Sequence, residues 1–260
     1  MNQPRFEFLD HDGPIAFAHR GGALEAPENT WKSFTRAYEL GYRYMETDVH
    51  STRDGVVVTI HDPDLKRVGQ QNGVIREMSW KHLSAIRLAG DEQVPRLDEL
   101  ISAWPGVRWN IDAKHDSVVG PLLETIHRTG AFDRVCITSF NDRRLARLRR
   151  ALGPKACMSL GPASTTALRI SSWLPGRAGA RMSERLGTFA AAQVPLYHWR
   201  IPVVDRKFVE SAHEAGLVVH VWTIDDEETM SRLLDIGVDG LMTDRPTVLR
   251  DLLIRRQAWA

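Results

Sequence analysis

The sequence predicts a closed α/β barrel of eight parallel strands, (β/α)8, and three observations carry that expectation. Apolar runs of strand length alternate with segments of helical period, which calls for repeated βα units and a parallel sheet. The alternation continues to the C-terminus and supplies eight such runs. The length, 260 residues, suits one barrel of this kind without a second domain, so the chain is read as a single unit over 1–260.

Taken in order, the barrel strands are expected near Ile15–His19, Tyr44–Val49, Trp109–Ala113, Val135–Phe140, Ala156–Leu160, Ala191–Val194, Leu217–Thr223 and Gly240–Thr243. Between the first two, Pro27-Glu28-Asn29-Thr30 opens a helix whose apolar positions are Trp31, Phe34 and Tyr38 and whose stop is Gly41, the pattern of a capped amphipathic helix. Gly216 and Gly237 end two later helices in the same way. One strand-like run, Val56–His61, stands outside the count. It follows Asp48 too closely for a helical crossover, and Asp54-Gly55 is a two-residue hairpin signal. With those two residues as the turn, Arg53 faces Val56 and His61 falls opposite Asp48. An antiparallel arm thus returns a histidine to the top of the second strand.

Two stretches exceed what a βα unit needs. Residues 63–108, part of an insertion over about 50–108 that begins with the arm, are expected to hold helical pieces at Ser79–Leu88 and Leu97–Trp104. Residues 161–190 contain Ser171-Ser172-Trp173-Leu174-Pro175-Gly176 and the basic Arg177, Arg181 and Arg185. They follow the fifth strand and should overhang the C-terminal face, where barrel active sites are built.

Composition excludes several functions. An apolar fraction of 43% with 26% charged residues is that of a globular protein rather than a disordered one. The net charge of +1 spreads 34 basic and 33 acidic residues along the chain, so no polybasic face for nucleic acid is implied. Residues 1–12 lack an apolar signal region and no stretch reaches the length of a membrane span, which makes a cytoplasmic setting without stable membrane insertion the default. Cys136 and Cys157 lie in apolar strand-like runs and read as packed free thiols.

The chemistry lies in polar motifs at strand ends: His19-Arg20-Gly21-Gly22, Glu46-Thr47-Asp48, His61-Asp62 and Asp112-Ala113-Lys114. Side chains at i and i+2 on a strand share a face, so Glu46 joins Asp48 and Asp112 joins Lys114. Three carboxylates, two histidines and two cations become candidates for one pocket. That inventory suits holding a divalent metal against a phosphate and moving protons around it.

These residues resemble the glycerophosphodiester phosphodiesterase family, and the resemblance runs over nearly the whole chain. It rests on AHRGG (18–22), PENT (27–30), METDV (45–49), DGVVVTIHDPDL (54–65), NIDAK (110–114), TSF (138–140), AHEAGLVVHVWTID (212–225) and GVDGLMTDRP (237–246). The resemblance implies a triosephosphate-isomerase-type barrel and a metal-dependent hydrolase that splits a small-molecule glycerophosphodiester into glycerol 3-phosphate and an alcohol. By position it implies His19 and His61 as acid and base, Arg20 and Lys114 as phosphate contacts, and Glu46, Asp48 and Asp112 as metal ligands. It further implies attack by the neighbouring glycerol hydroxyl through a cyclic phosphate, and the sequence leaves direct attack by water open as the alternative. The chain departs from the family at Asp112, where a glutamate is usual, and at Ile224-Asp225, where Val-Asn is common.

The physical chemistry is consistent with those roles. A phosphodiester resists hydrolysis because its anionic oxygens repel nucleophiles, so a catalyst neutralises them, positions a nucleophile and protonates the leaving alkoxide. Three carboxylates and a divalent cation leave one negative charge, Arg20 and Lys114 turn it to one positive, and a bound phosphodiester monoanion makes the site neutral. Oxygen ligation suits Mg²⁺ or Ca²⁺ rather than zinc, with Mn²⁺ a further candidate. Histidine as a residue type has a reference pKa near neutrality, which suits one to accept a proton and the other to donate it. Trp222 is expected to wall the pocket against the glycerol carbons, Glu28 to serve the start of the first helix, and His220 to sit in a strand interior. His11, His50, His82, His115, His127, His198 and His213 take the plain reading of loop, arm or helix residues.

Two other functions compete. A lysophospholipase D or phospholipase C-like phosphodiesterase acting on lipids is favoured by Trp173 and Leu174 in the overhang. A non-catalytic phosphate-ester binding module is disfavoured by chemically competent residues at all seven site positions.

Overall fold

The computed structural model describes residues 5–69, 71–174 and 186–259. Eight parallel strands form the ring: β1 (Ile15–His19), β2 (Tyr44–Ser51), β4 (Arg108–Ala113), β5 (Val135–Thr138), β6 (Cys157–Met158), β7 (Ala191–Pro195), β10 (Val218–Trp222) and β11 (Gly240–Thr243). Around the ring, β1 pairs with both β2 and β11. The seam between β6 and β7 is closed by a bridge of Ser159 to Ala191, with Ala190 N–H donating to Met158 O and Leu160 N–H to Ala191 O, each at 2.8 Å. The architecture is the expected (β/α)8 barrel, and every expected strand is present with its ends shifted by two residues at most.

Helices α1 (Trp31–Glu39), α3 (Leu97–Ala103), α4 (Val119–Thr129), α5 (Asp142–Leu152), α6 (Pro162–Ser171), α7 (Arg206–Glu214), α8 (Glu227–Asp235) and α9 (Pro246–Arg255) follow successive strands. They bury apolar stripes against the outer faces of the strands in one continuous cluster that includes Phe34, Leu100, Leu122, Leu148, Phe208 and Leu249. The start of α1 shows why PENT stands where it does. Thr30 Oγ1 accepts from Ser33 N–H and Ser33 Oγ accepts from Thr30 N–H, both at 3.2 Å, a reciprocal cap that satisfies two otherwise orphaned donors.

The barrel floor is sealed by the N-terminal segment. Phe8 packs on Phe17 and Tyr44 inside the ring, and Tyr44 Oη donates to Phe8 O at 2.8 Å. Cys136 and Cys157 sit opposite each other on β5 and β6 in this interior as buried free cysteines. His220 is fully buried among them, its Nδ1 3.2 Å from Gln193 Nε2. Burial pushes its pKa down to about 4, so it stays neutral in the fold while the unfolded chain protonates it near pH 6.5. Its contribution is therefore constant above that pH and is lost as acid is added toward pH 4, by about 1.4 kcal/mol per pH unit. Urea unfolding of wild type and His220→Gln at pH 7 and pH 5 tests this: wild type should lose about 2 kcal/mol more than the variant, and an equal loss would contradict it.

The arm differs from expectation in register. Short β3 (Val57–Thr59) pairs antiparallel with β2, with Val49 opposite Thr59 and Ser51 opposite Val57. Asp48 thus faces Ile60 rather than His61, and Ile60 N–H donates to Asp48 O at 2.9 Å. The turn holds three residues, not two: Thr52 N–H bonds Val56 O at 2.9 Å, and Gly55 takes the left-handed conformation at φ +83°, the pattern of a type I turn followed by a glycine bulge. His61 lies one residue beyond the pairing, where the chain turns over the barrel mouth.

The insertion has its own small core of Val58, Ile60, Leu65, Ile75, Leu83, Ile86, Leu88 and Val94. Helix α2 is confined to Trp80–Leu83, where a piece over Ser79–Leu88 was expected. Residues 83, 86 and 88 all turn inward, and that spacing cannot share one helical stripe. Of the 161–190 stretch, α6 lies over the C-terminal face and lines its cavity, while Pro175, Gly176, Arg177, Arg181 and Arg185 lie outside the described residues.

Candidate active site

The strand tops bring the seven site residues around one cavity, which His19, Arg20, Glu46, Asp48, His61, Asp112 and Lys114 all line. The register explains the grouping. Glu46 sits beside His19 on β1, and Asp48 sits beside Asp112 on β4. Lys114 reaches back from the end of β4 so that its Nζ lies 2.7 Å from Asp48 Oδ1 and 2.6 Å from Asp112 Oδ2. Arg20 Nε pairs with Asp48 Oδ2 at 3.0 Å, and Asn29 Nδ2 donates to the same oxygen at 3.2 Å. The turn after β1 carries this load in an unusual backbone, with Arg20, Gly21 and Gly22 all at positive φ. A Cβ on Gly21 would collide with Ser33, and one on Gly22 would fall 2.6 Å from Pro246 Cγ, which is why two glycines follow Arg20.

Each histidine is oriented by a carboxylate. His19 Nδ1 donates to Asp244 Oδ1 at 2.7 Å and its Nε2 lies 3.7 Å from Glu46 Oε2. His61 Nδ1 donates to Asp62 Oδ1 at 2.6 Å. Arg67 then locks the outer side: its Nε donates to Asp62 Oδ2 at 2.6 Å and its Nη1 and Nη2 to Glu28 at 2.7 and 2.8 Å. Glu28 also receives Arg20 Nη1 at 3.3 Å. These contacts favour, for Glu28, a place in the site over the helix-start role expected from sequence. Sequence reading missed Asp244, Arg67 and Asn29 as site residues and left Asp62 without a role. Asp62 and Asp244 stood inside quoted motifs, but nothing in the linear sequence says which histidine an aspartate 225 residues away will meet.

Electrostatics follow from burial. Glu46 is pushed up to about 7, first by desolvation and then by the Asp48 charge. Asp48 is held below the usual carboxylate range; burial opposes this, but Lys114 and Arg20 outweigh it. Burial raises Asp112 in spite of Lys114. Burial alone would lower His19, yet Glu46 and Asp244 overcome it and the net direction is upward. His50, on β2, is lowered to about 4 by burial, and its Nε2 meets His61 O at 3.2 Å.

The donor set suits a hard cation. Glu46, Asp48 and Asp112 are 5%, 2% and 3% exposed, and Asp112 Oδ1 is buried with no hydrogen-bond partner. Buried carboxylates this close need a counter-charge. In the arrangement described, Lys114 and Arg20 supply it, and among the described residues no three His, Cys, Asp or Glu side chains are placed to chelate an ion.

The cavity, of about 590 Å³, extends well past the charged groups. Trp222 lines it and meets Phe140 edge to face at 5.6 Å between ring centres. Lys114 Nζ lies 5.5 Å from the Phe140 ring centre, so this aromatic pair divides the charged end from an apolar one. His198, given no site role from sequence, also lines the cavity from the β8 (Tyr197–His198) and β9 (Ile201–Pro202) hairpin.

A parallel barrel with carboxylates, cations and two carboxylate-oriented histidines at its strand tops is of the class that acts on anionic esters. Residues 19–248 match the model of the glycerophosphoryl diester phosphodiesterase family. A relative from Mycobacterium tuberculosis, named probable glycerophosphodiester phosphodiesterase 2, is 39% identical over 98% of this chain and 97% of its own. Among solved structures, one from Silicibacter pomeroyi superposes with TM-score 0.80 at 24% identity over 99% of both chains. A phosphodiesterase from Oleispira antarctica, in complex with the product sn-glycerol-3-phosphate, does so with TM-score 0.76 at 24% identity over 93% of this chain and 97% of that one. The chain belongs to the glycerophosphoryl diester phosphodiesterase family.

Proposed function

We propose that this protein hydrolyses glycerophosphodiesters to glycerol 3-phosphate and an alcohol, with a divalent cation and with His19 and His61 as the proton-transfer pair. The observation that carries the reading is that each histidine is fixed through Nδ1 by its own aspartate. Both Nε2 atoms are thereby left as the groups that can exchange a proton with a substrate. Family membership and the Oleispira antarctica relative, whose structure holds sn-glycerol-3-phosphate, support the substrate class.

Arg20 and Lys114 bind the phosphoryl oxygens and cancel the charge that would repel a nucleophile. His61 accepts the proton of the attacking hydroxyl. His19, whose surroundings favour its protonated form, gives a proton to the departing alkoxide. If the attacking group is the glycerol hydroxyl beside the phosphoester, a cyclic phosphate forms and water opens it with the two roles exchanged. Glu46, Asp48 and Asp112 would hold the cation, Mg²⁺, Ca²⁺ or Mn²⁺, which when bound supplies further neutralisation of phosphoryl charge. Trp222 packs against the carbon side of the substrate. Among the described residues no helix is long and apolar enough to cross a membrane. The two buried free cysteines support a reducing, cytoplasmic setting.

The test is release of choline from glycerophosphocholine by the chelated protein and after return of each cation. Turnover lost on chelation and restored by at least one ion is expected. Full activity in excess chelator, with metal content checked by elemental analysis, would remove the cation from the reading, and no turnover under any condition would remove the activity.

A further inference from the structure

The apolar end of the cavity has no part in the chemistry described above. Phe140, Leu160, Ile170, Trp173 and Ile201 line it, brought together from the tops of β5 and β6, from α6 and the turn after it, and from the β8–β9 hairpin. Two polar groups along this arm are already engaged within the protein. Arg169 is tied to Asp205 through two hydrogen bonds of 2.9 and 2.6 Å, and it lies 4.5 Å from the ring centre of Trp173, which it holds in place. Thr166 Oγ1 donates to Pro162 O at 2.9 Å. At the mouth, Trp173 and Ile201 each keep 56% of their surface open and Phe140 keeps 63%, a clustering of large apolar side chains that marks a binding surface rather than scattered exposure.

Size points the same way. A space of about 590 Å³ holds roughly twenty waters at ~30 Å³ each, and a glycerol phosphate group of about ten non-hydrogen atoms leaves much of it empty. A choline head group meets the aromatic faces through its quaternary ammonium but leaves the aliphatic wall of Leu160, Ile170 and Ile201 without a partner. A hydrocarbon chain gains about fourfold in affinity per methylene buried, ~0.8 kcal/mol.

We propose that this arm takes a hydrocarbon chain carried by the substrate, so that the preferred substrate is a chain-bearing glycerophosphodiester whose phosphate enters the charged end while the chain lies along α6 against Phe140 and Trp173. The inference rests on the hydrolytic reading above. The shared chemistry has two sources: a lysophospholipid, with the chain on the glycerol, or a diester whose leaving alcohol is the chain. A chain on the first glycerol carbon leaves the second hydroxyl free to attack, so both are compatible with the reaction.

Two homologous series, kept below their micelle concentrations, separate the outcomes. One is 1-acyl-glycerophosphocholine from acetyl to decanoyl, and the other is glycerol phosphate esterified with alkanols from ethanol to decanol. In at least one series kcat/KM should rise about two- to fourfold per methylene and then level off, and the rising series identifies where the chain is attached. The Ile170→Asn/Trp173→Ser double variant, and separately Ile201→Ser on the facing hairpin, should flatten that rise. Flat dependence in both series with glycerophosphocholine still turned over overturns the proposal and leaves the hydrolytic reading standing. A rise that persists unchanged in both variants also overturns it, because the chain then binds elsewhere. Failure to turn over glycerophosphocholine or any member of either series defeats the hydrolytic reading instead.

Discussion

Alanine at His61 is expected to lower kcat on glycerophosphocholine by roughly 10²–10⁴-fold, the range for a positioned acid or base, with the fold intact. The side chain is one-third exposed, and its ring contact is the single Nδ1 bond to Asp62 at 2.6 Å, so no core is emptied by its removal. The same change at His19 should cost a similar factor. If the two act as a pair on one proton path, the double variant loses less than the product of the two single losses. Steady-state kinetics on the three variants, with circular dichroism to confirm folding, decide the matter. A His61→Ala enzyme within threefold of wild type would exclude the role. A double variant whose loss equals the product would show two independent contributions.

The second large effect is expected at Asp112, where the family resemblance of the sequence implies a glutamate, one methylene longer. Its Oδ2 is 2.6 Å from Lys114 Nζ, while Oδ1 is buried and without a hydrogen-bond partner. If Asp112 is a cation ligand, Asp112→Asn removes a full ligand charge and should raise the cation concentration for half-maximal rate by about tenfold or more. Asp112→Glu restores ~1.5 Å of reach; it should keep activity and lower that concentration. Binding of the cation to the three proteins by calorimetry gives a readout independent of turnover. An Asn variant indistinguishable from wild type in both measurements would mean that Asp112 holds no cation and serves only to pair Lys114.

Much of this was legible in the sequence because it is encoded at short range. The strand tops follow from apolar runs that end in polar motifs. The joining of Glu46 with Asp48, and of Asp112 with Lys114, follows from the two-residue period of a strand. His220 read correctly as an interior residue, since Val218–Trp222 is apolar on both sides of it. What the sequence concealed depends on turn geometry and on distance along the chain. Asp54-Gly55 signals a tight turn equally well whether two residues or three form the loop, and one residue of difference moved Ile60, not His61, opposite Asp48. Glu28 looked like a helix-start residue because its partner Arg67 lies 39 positions on, inside an insertion that has no period to place it. The pairing of His19 with Asp244 is a product of ring closure, which sets the first strand beside the last.

The uneven closure of that ring has a consequence for sequence change. The histidines, the carboxylates and Lys114 sit on or beside β1, β2 and β4, where β2 and β4 stay in register over six residue pairs. The apolar arm is carried by segments flanking the β6–β7 seam, where β6 is two residues long and one bridge completes the sheet. Substitutions on the second side leave the bonds that hold the first side untouched. Sequence change on the seam side is therefore expected to disturb the charged strand tops least, because the six paired residues of β2 and β4 lie away from it.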